Sequence, residues 1–233
     1  SEVESQSHVD MSETERIRDN YLALLERVRR CGGESIKVVA VTKTFPASVI
    51  RAVHDAGCSA IGENYAQELL AKIDDYRATQ VPGDILPEVH FVGRLQSNKI
   101  RQIADVVSVW QTIDRDSVLQ EVALRSPGAH IFIQVNATNE IDKGGCPPDQ
   151  VERLLGLATQ RGLTVKGLMA VGPSDGDARR TAEVFADVAR LGRQFGLKEL
   201  SMGMTGDLEI AIDAGSTLIR VGSAIFGDRP PIA

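Results

Sequence analysis

The sequence predicts an α/β fold, a (β/α)8 TIM barrel preceded by an extra N-terminal helix. Two observations support this prediction. Eight short runs of apolar, mostly β-branched residues alternate with stretches in which apolar residues recur at helical spacing. No linker, low-complexity tract or short-period repeat interrupts the alternation. Strict alternation of this length favours a closed barrel, and an open doubly wound sheet is the alternative.

The first helix is predicted to be amphipathic from about Met11 to Arg30, and Gly32 and Gly33 end it. Residues 1–10 are polar and acidic and are expected to form a disordered tail, which leaves residues 11–233 as one domain. The strands are predicted at Val38–Thr42, Ser59–Gly62, Glu88–Gly93, Val106–Ile113, His130–Asn136, Leu163–Val171, Leu200–Met204 and Thr217–Val221. The last strand has no predicted helix after it, and the N-terminal helix is expected to cover that position.

The helices between the strands follow from the same periodicity and from their end signals. They are predicted at Ala47–Ala56, Ala66–Arg77, from near Lys99, Asp116–Arg125, Pro148–Arg161, Ala178–Phe195 and Asp207–Ala214. Thr44 is expected to cap the first of them, with Pro46 in its first turn. Residues 96–98 are expected to cap the helix that starts near Lys99.

Composition excludes several classes of function. The formal net charge is −6, and no cluster of Lys and Arg relieves it, so nucleic acid is not expected as the main partner. No apolar run approaches membrane-spanning length. The 3 cysteines are an odd number without metal-ligand spacing, which predicts reduced thiols in a cytoplasmic protein.

The strand Val38–Thr42 is followed by Lys43, an unusual residue after a run that is predicted to be buried on both faces. Alternation puts Val39, Val41 and Lys43 on one face, so in a barrel the Lys43 amine points into the opening above the strand. Apolar walls disfavour the ammonium form, and the neutral amine is a nucleophile toward an aldehyde. The competing interpretation is a strand-end lysine that extends to water.

Glycine-rich segments follow the last two strands, where TIM barrels commonly bind phosphate. Ser201–Asp207 (SMGMTGD) places two glycines and a hydroxyl ahead of a helix, and Arg220–Gly227 (RVGSAIFG) places Gly222 and Ser223 past the last strand. Glycine allows backbone N–H groups to approach phosphate oxygens, and Thr205 and Ser223 add hydroxyl donors. The two segments together predict a phosphate site.

Arg220 is expected to point into the same opening as Lys43, because alternation puts it on one face with Leu218 and Gly222. A buried arginine needs an acceptor, and the residues alone favour a structural ion pair with a strand-end carboxylate such as Glu63. A reactive lysine, a phosphate cradle and an arginine for a ring nitrogen would together describe a pyridoxal phosphate site.

Six motifs, in order, closely resemble the YggS/PROSC family of pyridoxal phosphate-binding proteins, also called pyridoxal phosphate homeostasis proteins. They are KVVAVTKTFP, IGENYAQE, HFVGRLQSNK, LMAVGPS, LSMGMTGD and STLIRVGSAIFG, spread from about Lys37 to Gly227. The family is similar to the barrel domain of alanine racemase without its C-terminal β-domain. The resemblance therefore implies the same barrel and no C-terminal β-domain.

The resemblance also implies the roles of individual residues. Lys43 would form a Schiff base with pyridoxal 5'-phosphate, Arg220 would bind the pyridine nitrogen, and Asn64 would lie near the polar ring substituents. The full set of implied cofactor-binding residues is Lys43, Asn64, Ser201, Thr205, Arg220, Gly222 and Ser223, with no catalytic residue and no metal. Arg94 stands where the family commonly has proline, so the resemblance does not predict the shape of the cavity mouth.

The expected function is storage and delivery of pyridoxal phosphate in the cell. An arginine stays protonated, so its hydrogen bond keeps the ring nitrogen unprotonated and makes the cofactor a weaker electron sink. Racemisation also needs a second base, and the chain ends at Ala233 soon after the barrel, so none is expected. A low-activity amino-acid racemase is the first alternative, and a barrel that binds sugar phosphates without covalent chemistry is the second.

Partners and the remaining polar residues complete the predictions. Apo pyridoxal phosphate enzymes are the candidate recipients, and a monomer is expected. Lys143, in the glycine-rich loop after the fifth strand, is interpreted as a solvated lysine, and a role in cofactor release is the alternative. His90 is interpreted as a packing or surface histidine, because the histidines have no metal-ligand spacing.

Overall fold

The barrel is closed. The computed structural model describes the backbone of residues 2–228 and the side chains of residues 12–228. Its strands are β1 (Lys37–Val41), β2 (Ala60–Glu63), β3 (Glu88–Phe91), β4 (Val109–Ile113), β5 (His130–Gln134), β6 (Thr164–Ala170), β7 (Glu199–Met202) and β8 (Leu218–Val221). Each strand pairs in parallel with the next, and β8 pairs with β1. This confirms the predicted TIM barrel, and the open-sheet alternative is wrong.

Helices cover the outside of the barrel. They are α1 (Glu2–Arg30), α2 (Ser48–Asp55), α3 (Ala66–Ala78), α4 (Ser97–Ile103), α5 (Asp116–Arg125), α6 (Val151–Gln160), α7 (Ala178–Gln194), α8 (Leu208–Asp213) and α9 (Ser223–Phe226), with a 3-10 turn at Pro148–Gln150 before α6. The sequence did not predict α9. The sequence predicts a disordered tail over residues 1–10. The side chains of these residues are not among those that the structure describes, so the tail stays a prediction.

The extra helix α1 covers the gap beside the short α9, as predicted. It packs against both α2 and α9. Its apolar stripe, which includes Ile17, Tyr21 and Leu24, is buried. Asn20 Nδ2 donates to the Ile225 carbonyl at 2.9 Å, which fixes α1 to α9.

Strand residues alternate between the barrel interior and the helix layer. Val39 and Leu218 belong to an apolar cluster inside the barrel, whereas Val38 and Ile219 pack against the helices. Each fully buried aliphatic side chain contributes about 1.5–3 kcal/mol to folding. Trp110 is fully buried in the outer cluster, so it packs between the strands and the helices and does not fill the barrel interior.

Two predicted helix caps are wrong. Thr44 has a φ of 69°, and its backbone N–H donates to the Glu68 carboxylate, while Ala47 occupies the N-cap position of α2. The turn after Lys43 therefore uses left-handed backbone, which removes Thr44 from the capping position. Helix α4 begins at Ser97, and its N-cap residue Gln96 makes no side-chain capping hydrogen bond.

Three further observations limit the chemistry within the described part of the chain. None of its helices is both long and apolar enough to cross a bilayer. None of its groups of His, Cys, Asp and Glu has the composition and spacing of a metal site. All three cysteines are free thiols, and Cys58 and Cys146 are buried.

Candidate functional site

A cavity of about 440 Å³ opens at the C-terminal ends of the strands. This is the end of the barrel at which TIM-barrel sites lie, and the volume is in the range of small-molecule sites. Six of the seven predicted site residues line it: Lys43, Asn64, Thr205, Arg220, Gly222 and Ser223. Arg94 is exposed and is not among the lining residues.

The cavity is cationic although the protein is acidic. Lys43 and Arg220 both line it, and no carboxylate does among the residues that the structure describes. Apolar side chains, among them Val41 and Met169, form the rest of the wall. Two cations against a low-dielectric wall favour an anionic ligand.

The peptide units on both sides of Lys43 are held from α3. Lys72 Nζ donates to the Thr42 carbonyl at 2.5 Å, directly before Lys43. The Glu68 carboxylate accepts from the Thr44 N–H, directly after it, and also pairs with Lys72 at 2.8 Å. Glu68 and Lys72 are one helical turn apart, so both reach the end of β1. We call these two residues the α3 brace.

The brace is anchored on a buried carboxylate at the end of β2. Glu63 is fully buried, and its Oε1 accepts from Lys72 Nζ and from the Thr42 hydroxyl, each at 2.5 Å. Burial raises the pKa of Glu63, and the contacts with Lys72 and Thr42 oppose that rise. Glu63 therefore pairs with Lys72, and the predicted ion pair between Glu63 and Arg220 is wrong.

Arg220 is instead held by neutral acceptors. Its Nη1 donates to the Ser201 carbonyl at 2.9 Å and to the Ser201 hydroxyl at 2.7 Å, and its Nη2 donates to the Ala170 carbonyl at 3.0 Å. Burial lowers the pKa of Arg220 to about 10, and Asp207 opposes the shift. The guanidinium therefore remains protonated at neutral pH.

Ser201 is the predicted site residue that does not line the cavity. It is fully buried, and its hydroxyl donates to Gln111 Oε1 at 2.6 Å while it accepts from Arg220. Its observed hydroxyl contacts are with Arg220 and Gln111, and of these two side chains Arg220 lines the cavity. Direct cofactor binding by Ser201 stays a prediction.

The two glycine-rich segments meet at the cavity, as predicted. The Ala224 N–H donates to the Thr205 hydroxyl at 3.3 Å, which joins the loop after β7 to α9. Arg27 of α1 donates to the Thr205 carbonyl at 2.8 Å and also pairs with Glu209. No local pattern singles out Arg27, because its partners are more than 170 residues away in the chain.

Asn64 depends on a glycine that the sequence did not single out. A Cβ added to Gly93 would lie 2.1 Å from the Asn64 carbonyl oxygen, so only glycine permits this approach of the loops after β2 and β3. The Asn64 Oδ1 is buried and has no hydrogen-bond partner within the described chain. It is an acceptor in the cavity wall that a ligand can satisfy.

Two interpretations of single residues need correction. Lys143 is not a solvated lysine, because its Nζ donates to the Gly172 carbonyl and lies 3.3 Å from Ser174 Oγ. It ties the loop after β5 to the loop after β6. His90 is buried inside the barrel, where it contacts Glu88 and Gln111, so the surface alternative for it is wrong.

Comparisons with known proteins agree with this site. Residues 13–230 match the family model described as alanine racemase, N-terminal domain. The chain is 38% identical over 213 residues to a pyridoxal phosphate homeostasis protein of Vibrio cholerae, covering 86% of this chain and 89% of the relative. PipY of Synechococcus elongatus PCC7942, solved with PLP bound, superposes with a TM-score of 0.78 at 28% identity and covers 91% of this chain and 100% of its own.

Alanine racemase from Corynebacterium glutamicum shares the fold, with a TM-score of 0.70 at 17% identity over 94% of this chain and 62% of the racemase chain. The family match and the curated relatives lead to one assignment. The chain belongs to the family of pyridoxal phosphate homeostasis proteins, whose barrel is that of the N-terminal domain of alanine racemase.

Proposed function

We propose that this protein binds pyridoxal 5'-phosphate as a Schiff base with Lys43 and serves intracellular pyridoxal phosphate homeostasis by storing and delivering the cofactor. One observation carries the proposal: the Lys43 amine, the Arg220 guanidinium and the hydroxyls of Thr205 and Ser223 converge on one cavity without a carboxylate in its described wall. The name of the Vibrio cholerae relative and the PLP-bound structure of PipY support it.

The residues in the cavity fit the chemistry of the cofactor. Thr205 and Ser223 supply hydroxyl donors for a phosphate beside Gly222, which has no side chain to obstruct it. Arg220 supplies N–H donors for a ring nitrogen. The partnerless Asn64 Oδ1 supplies an acceptor for a polar ring substituent. When bound, the cofactor supplies an aldehyde and an electron-accepting ring.

Lys43 would hold the cofactor covalently. Its amine is the nucleophile in the cavity lining that would condense with the aldehyde supplied by the cofactor, with the aldehyde oxygen lost as water. The α3 brace fixes the peptide units before and after Lys43, so the amine is presented from a defined backbone. Because water would reverse this condensation, Lys43 would also be able to release the aldehyde, as a delivery protein requires.

The lining of the cavity favours a carrier over an enzyme. Lys43 and Arg220 are the ionisable residues in its described lining, so Lys43 has no second base opposite it there. Arg220 remains protonated, and a hydrogen bond from it to the ring nitrogen would limit stabilisation of a carbanion. A low-activity racemase is the rival. D-alanine formed from L-alanine at enzyme-like rates, with deuterium taken up from deuterated water, would overturn the carrier proposal.

Delivery to apo enzymes, a monomeric state and a cytoplasmic location are part of the same proposal. The three unpaired thiols support a reducing compartment. Light scattering of the pure protein tests the monomer. Transfer to an apo enzyme is tested by recovery of that enzyme's activity, and unchanged transfer kinetics in Lys143→Ala would exclude a role of Lys143 in release.

Absorbance titration with pyridoxal 5'-phosphate tests the central step. We expect the parent and the control Lys166→Ala to develop the visible band of a Schiff base, and Lys43→Ala to lack it. Borohydride reduction followed by peptide mapping is expected to place the adduct on Lys43. A parent without the band, or an adduct on another lysine, contradicts the proposal. Equal affinity in Lys43→Ala and the parent would favour a phosphate-binding barrel without covalent chemistry.

A further inference from the structure

A chain of hydrogen bonds crosses the barrel interior from Arg220 to the opposite mouth. Arg220 Nη1 lies 2.7 Å from Ser201 Oγ, which lies 2.6 Å from Gln111 Oε1. Gln111 Nε2 lies 2.8 Å from His90 Nδ1, and His90 Nε2 lies 2.7 Å from Glu88 Oε1. We call these four links the axial chain.

The two ends of the axial chain fix its polarity. The guanidinium of Arg220 only donates, so the Ser201 hydroxyl accepts from it and gives its proton to Gln111 Oε1. The Gln111 amide therefore directs its N–H to His90 Nδ1. His90 must then carry its proton on Nε2, and it donates that proton to the Glu88 carboxylate. Every link points the same way, from a pure donor to a pure acceptor.

Burial keeps His90 in this neutral form. Ser201 and Gln111 are fully buried and His90 is 1% exposed, so bulk water does not compete for these links. Burial lowers the pKa of His90, and the contact with Glu88 opposes that shift. Hydrogen bonds from His90 and then Lys37 lower the pKa of Glu88 to about 2. The titratable and charged groups around His90 at this mouth are Lys37 of β1, Glu88 of β3, His130 of β5, Lys166 of β6 and Glu199 of β7.

We infer that Glu88, His90 and Gln111 are positioning residues for Arg220, acting through Ser201 from the end of the barrel opposite to the cavity. This inference rests on the proposed function. Three of the five N–H donors of Arg220 are used by Ser201 and the Ala170 carbonyl, which leaves two for a ligand. The orientation of those two depends on the Ser201 hydroxyl.

Reversal of the axial chain would loosen Arg220. If His90 carried a proton on Nδ1, the Gln111 amide would have to turn its oxygen toward His90 and its N–H toward Ser201. The Ser201 hydroxyl would then lose the acceptor for its own proton, which would turn toward the guanidinium. The position of the proton on His90 therefore determines how the Ser201 hydroxyl is oriented toward Arg220 in the cavity.

Histidine-selective ¹⁵N NMR of the protein without added cofactor tests the chain directly. We expect a neutral His90 with its proton on Nε2 at pH 7.5, assigned by its loss in His90→Gln. A proton on Nδ1, or an imidazolium at this pH, overturns the inference. This result does not depend on cofactor binding, so it separates failure of the axial chain from failure of the proposed function.

Titration with pyridoxal 5'-phosphate tests the effect on Arg220. We expect His90→Leu to weaken binding of pyridoxal 5'-phosphate about tenfold, which corresponds to the loss of one well-placed hydrogen bond. His90→Gln should restore most of it, because an amide can accept from Gln111 and donate to Glu88. Lys166→Gln is the matched control: it breaks the Lys166 to Glu199 pair at the same mouth but leaves the axial chain intact, and it should bind like the parent.

Parent-like binding by His90→Leu, or an equal loss in Lys166→Gln, overturns the inference. Thermal unfolding checks that each variant is folded. If His90→Leu does not fold, Ser201→Ala replaces it, because it removes the two links that the hydroxyl makes, to Arg220 and to Gln111, and should weaken binding by a similar factor. A parent that does not bind the cofactor overturns the proposed function, and the NMR result then decides on the axial chain.

Discussion

Lys43 and Arg220 lie at the ends of neighbouring strands and line the same cavity, but they are held in opposite ways. The α3 brace holds the backbone around Lys43 from outside the barrel, with a lysine and carboxylates. Arg220 is held from inside the barrel by two carbonyls and a hydroxyl, all of them neutral acceptors. Lys43 is therefore held through charged residues, and Arg220 is held by neutral acceptors.

The difference follows from where each support lies. Between strands and helices, opposite charges can pair, so the buried Glu63 is matched by Lys72. Neutral acceptors hold Arg220 without cancelling its charge, and that charge remains directed at the ligand. Charged groups therefore fix the backbone around Lys43, and neutral groups leave the charge of Arg220 available for a ligand.

The largest effect is expected from breaking the outer support. Lys72→Met leaves Glu63 buried without its cation and releases the Thr42 carbonyl, so the free energy of unfolding should fall by about 3–5 kcal/mol. Urea unfolding followed by circular dichroism measures this.

The double variant Glu63→Gln/Lys72→Met is the control. It removes the carboxylate as well as the cation, and it should recover much of the lost stability because no uncompensated charge remains. A double variant as unstable as Lys72→Met alone would show that packing, and not charge, dominates the outer support.

Gly93→Ala tests the backbone next to that support. The added methyl group would overlap the Asn64 carbonyl oxygen, and both sides of the contact are backbone. We expect a loss of about 1–3 kcal/mol and weaker binding of pyridoxal phosphate, because Asn64 must move. Gly156→Ala, inside α6 with no atom within 4 Å of the new Cβ, should instead be stabilising by about 1 kcal/mol.

The pH dependence of stability should differ in sign between the two supports. The pKa values of His90 and Glu88 are lowered by folding, so the unfolded chain binds more protons than the folded one. The stability that they contribute is present near neutral pH and is lost as the pH falls below about 6.5 for His90 and about 4.3 for Glu88. For Glu88, whose folded pKa is about 2, the loss continues to that value.

Glu63 acts in the opposite direction. Burial raises its pKa, so its contribution is present below the ordinary glutamate pKa and is lost as the pH rises through the folded value. Urea unfolding of the parent, Glu88→Gln and Glu63→Gln from pH 2.5 to 7 tests both signs. Glu88→Gln should flatten the decline toward acid, and Glu63→Gln should gain stability relative to the parent as the pH rises. The same trend in both variants would contradict the comparison.

The sequence predicts the fold and the cavity because both depend on local periodicity. Alternation along β1 and β8 is enough to turn Val39 and Leu218 inward and to bring Lys43 and Arg220 to one opening. The positions of the two glycine-rich segments could be predicted for the same reason, because these segments directly follow the predicted strands β7 and β8.

The supports could not be predicted, because their partners are chosen by tertiary packing. Ser201 and Gln111 are 90 residues apart, and nothing local distinguishes Gln111 from other strand glutamines. Thr44 has the composition of a cap but takes left-handed backbone because Glu68 binds its N–H. Only the spacing of Glu68 and Lys72 on α3 was visible as a local signal.

The smallest expected effect comes from a charged contact at the partly exposed edge of the site. Arg27 of α1 holds the Thr205 carbonyl and pairs with Glu209, but its side chain is 36% exposed. Arg27→Gln should therefore cost less than about 1 kcal/mol of stability. It should still weaken phosphate binding about two- to threefold, because Thr205 loses a fixed backbone contact. Arg29→Gln, in an exposed pair with Glu26 on the same helix, is the control and should change neither quantity. Equal effects in the two variants would mean that charge on α1, and not the Thr205 contact, matters, and charged support would then extend to the side of the cavity that holds Arg220.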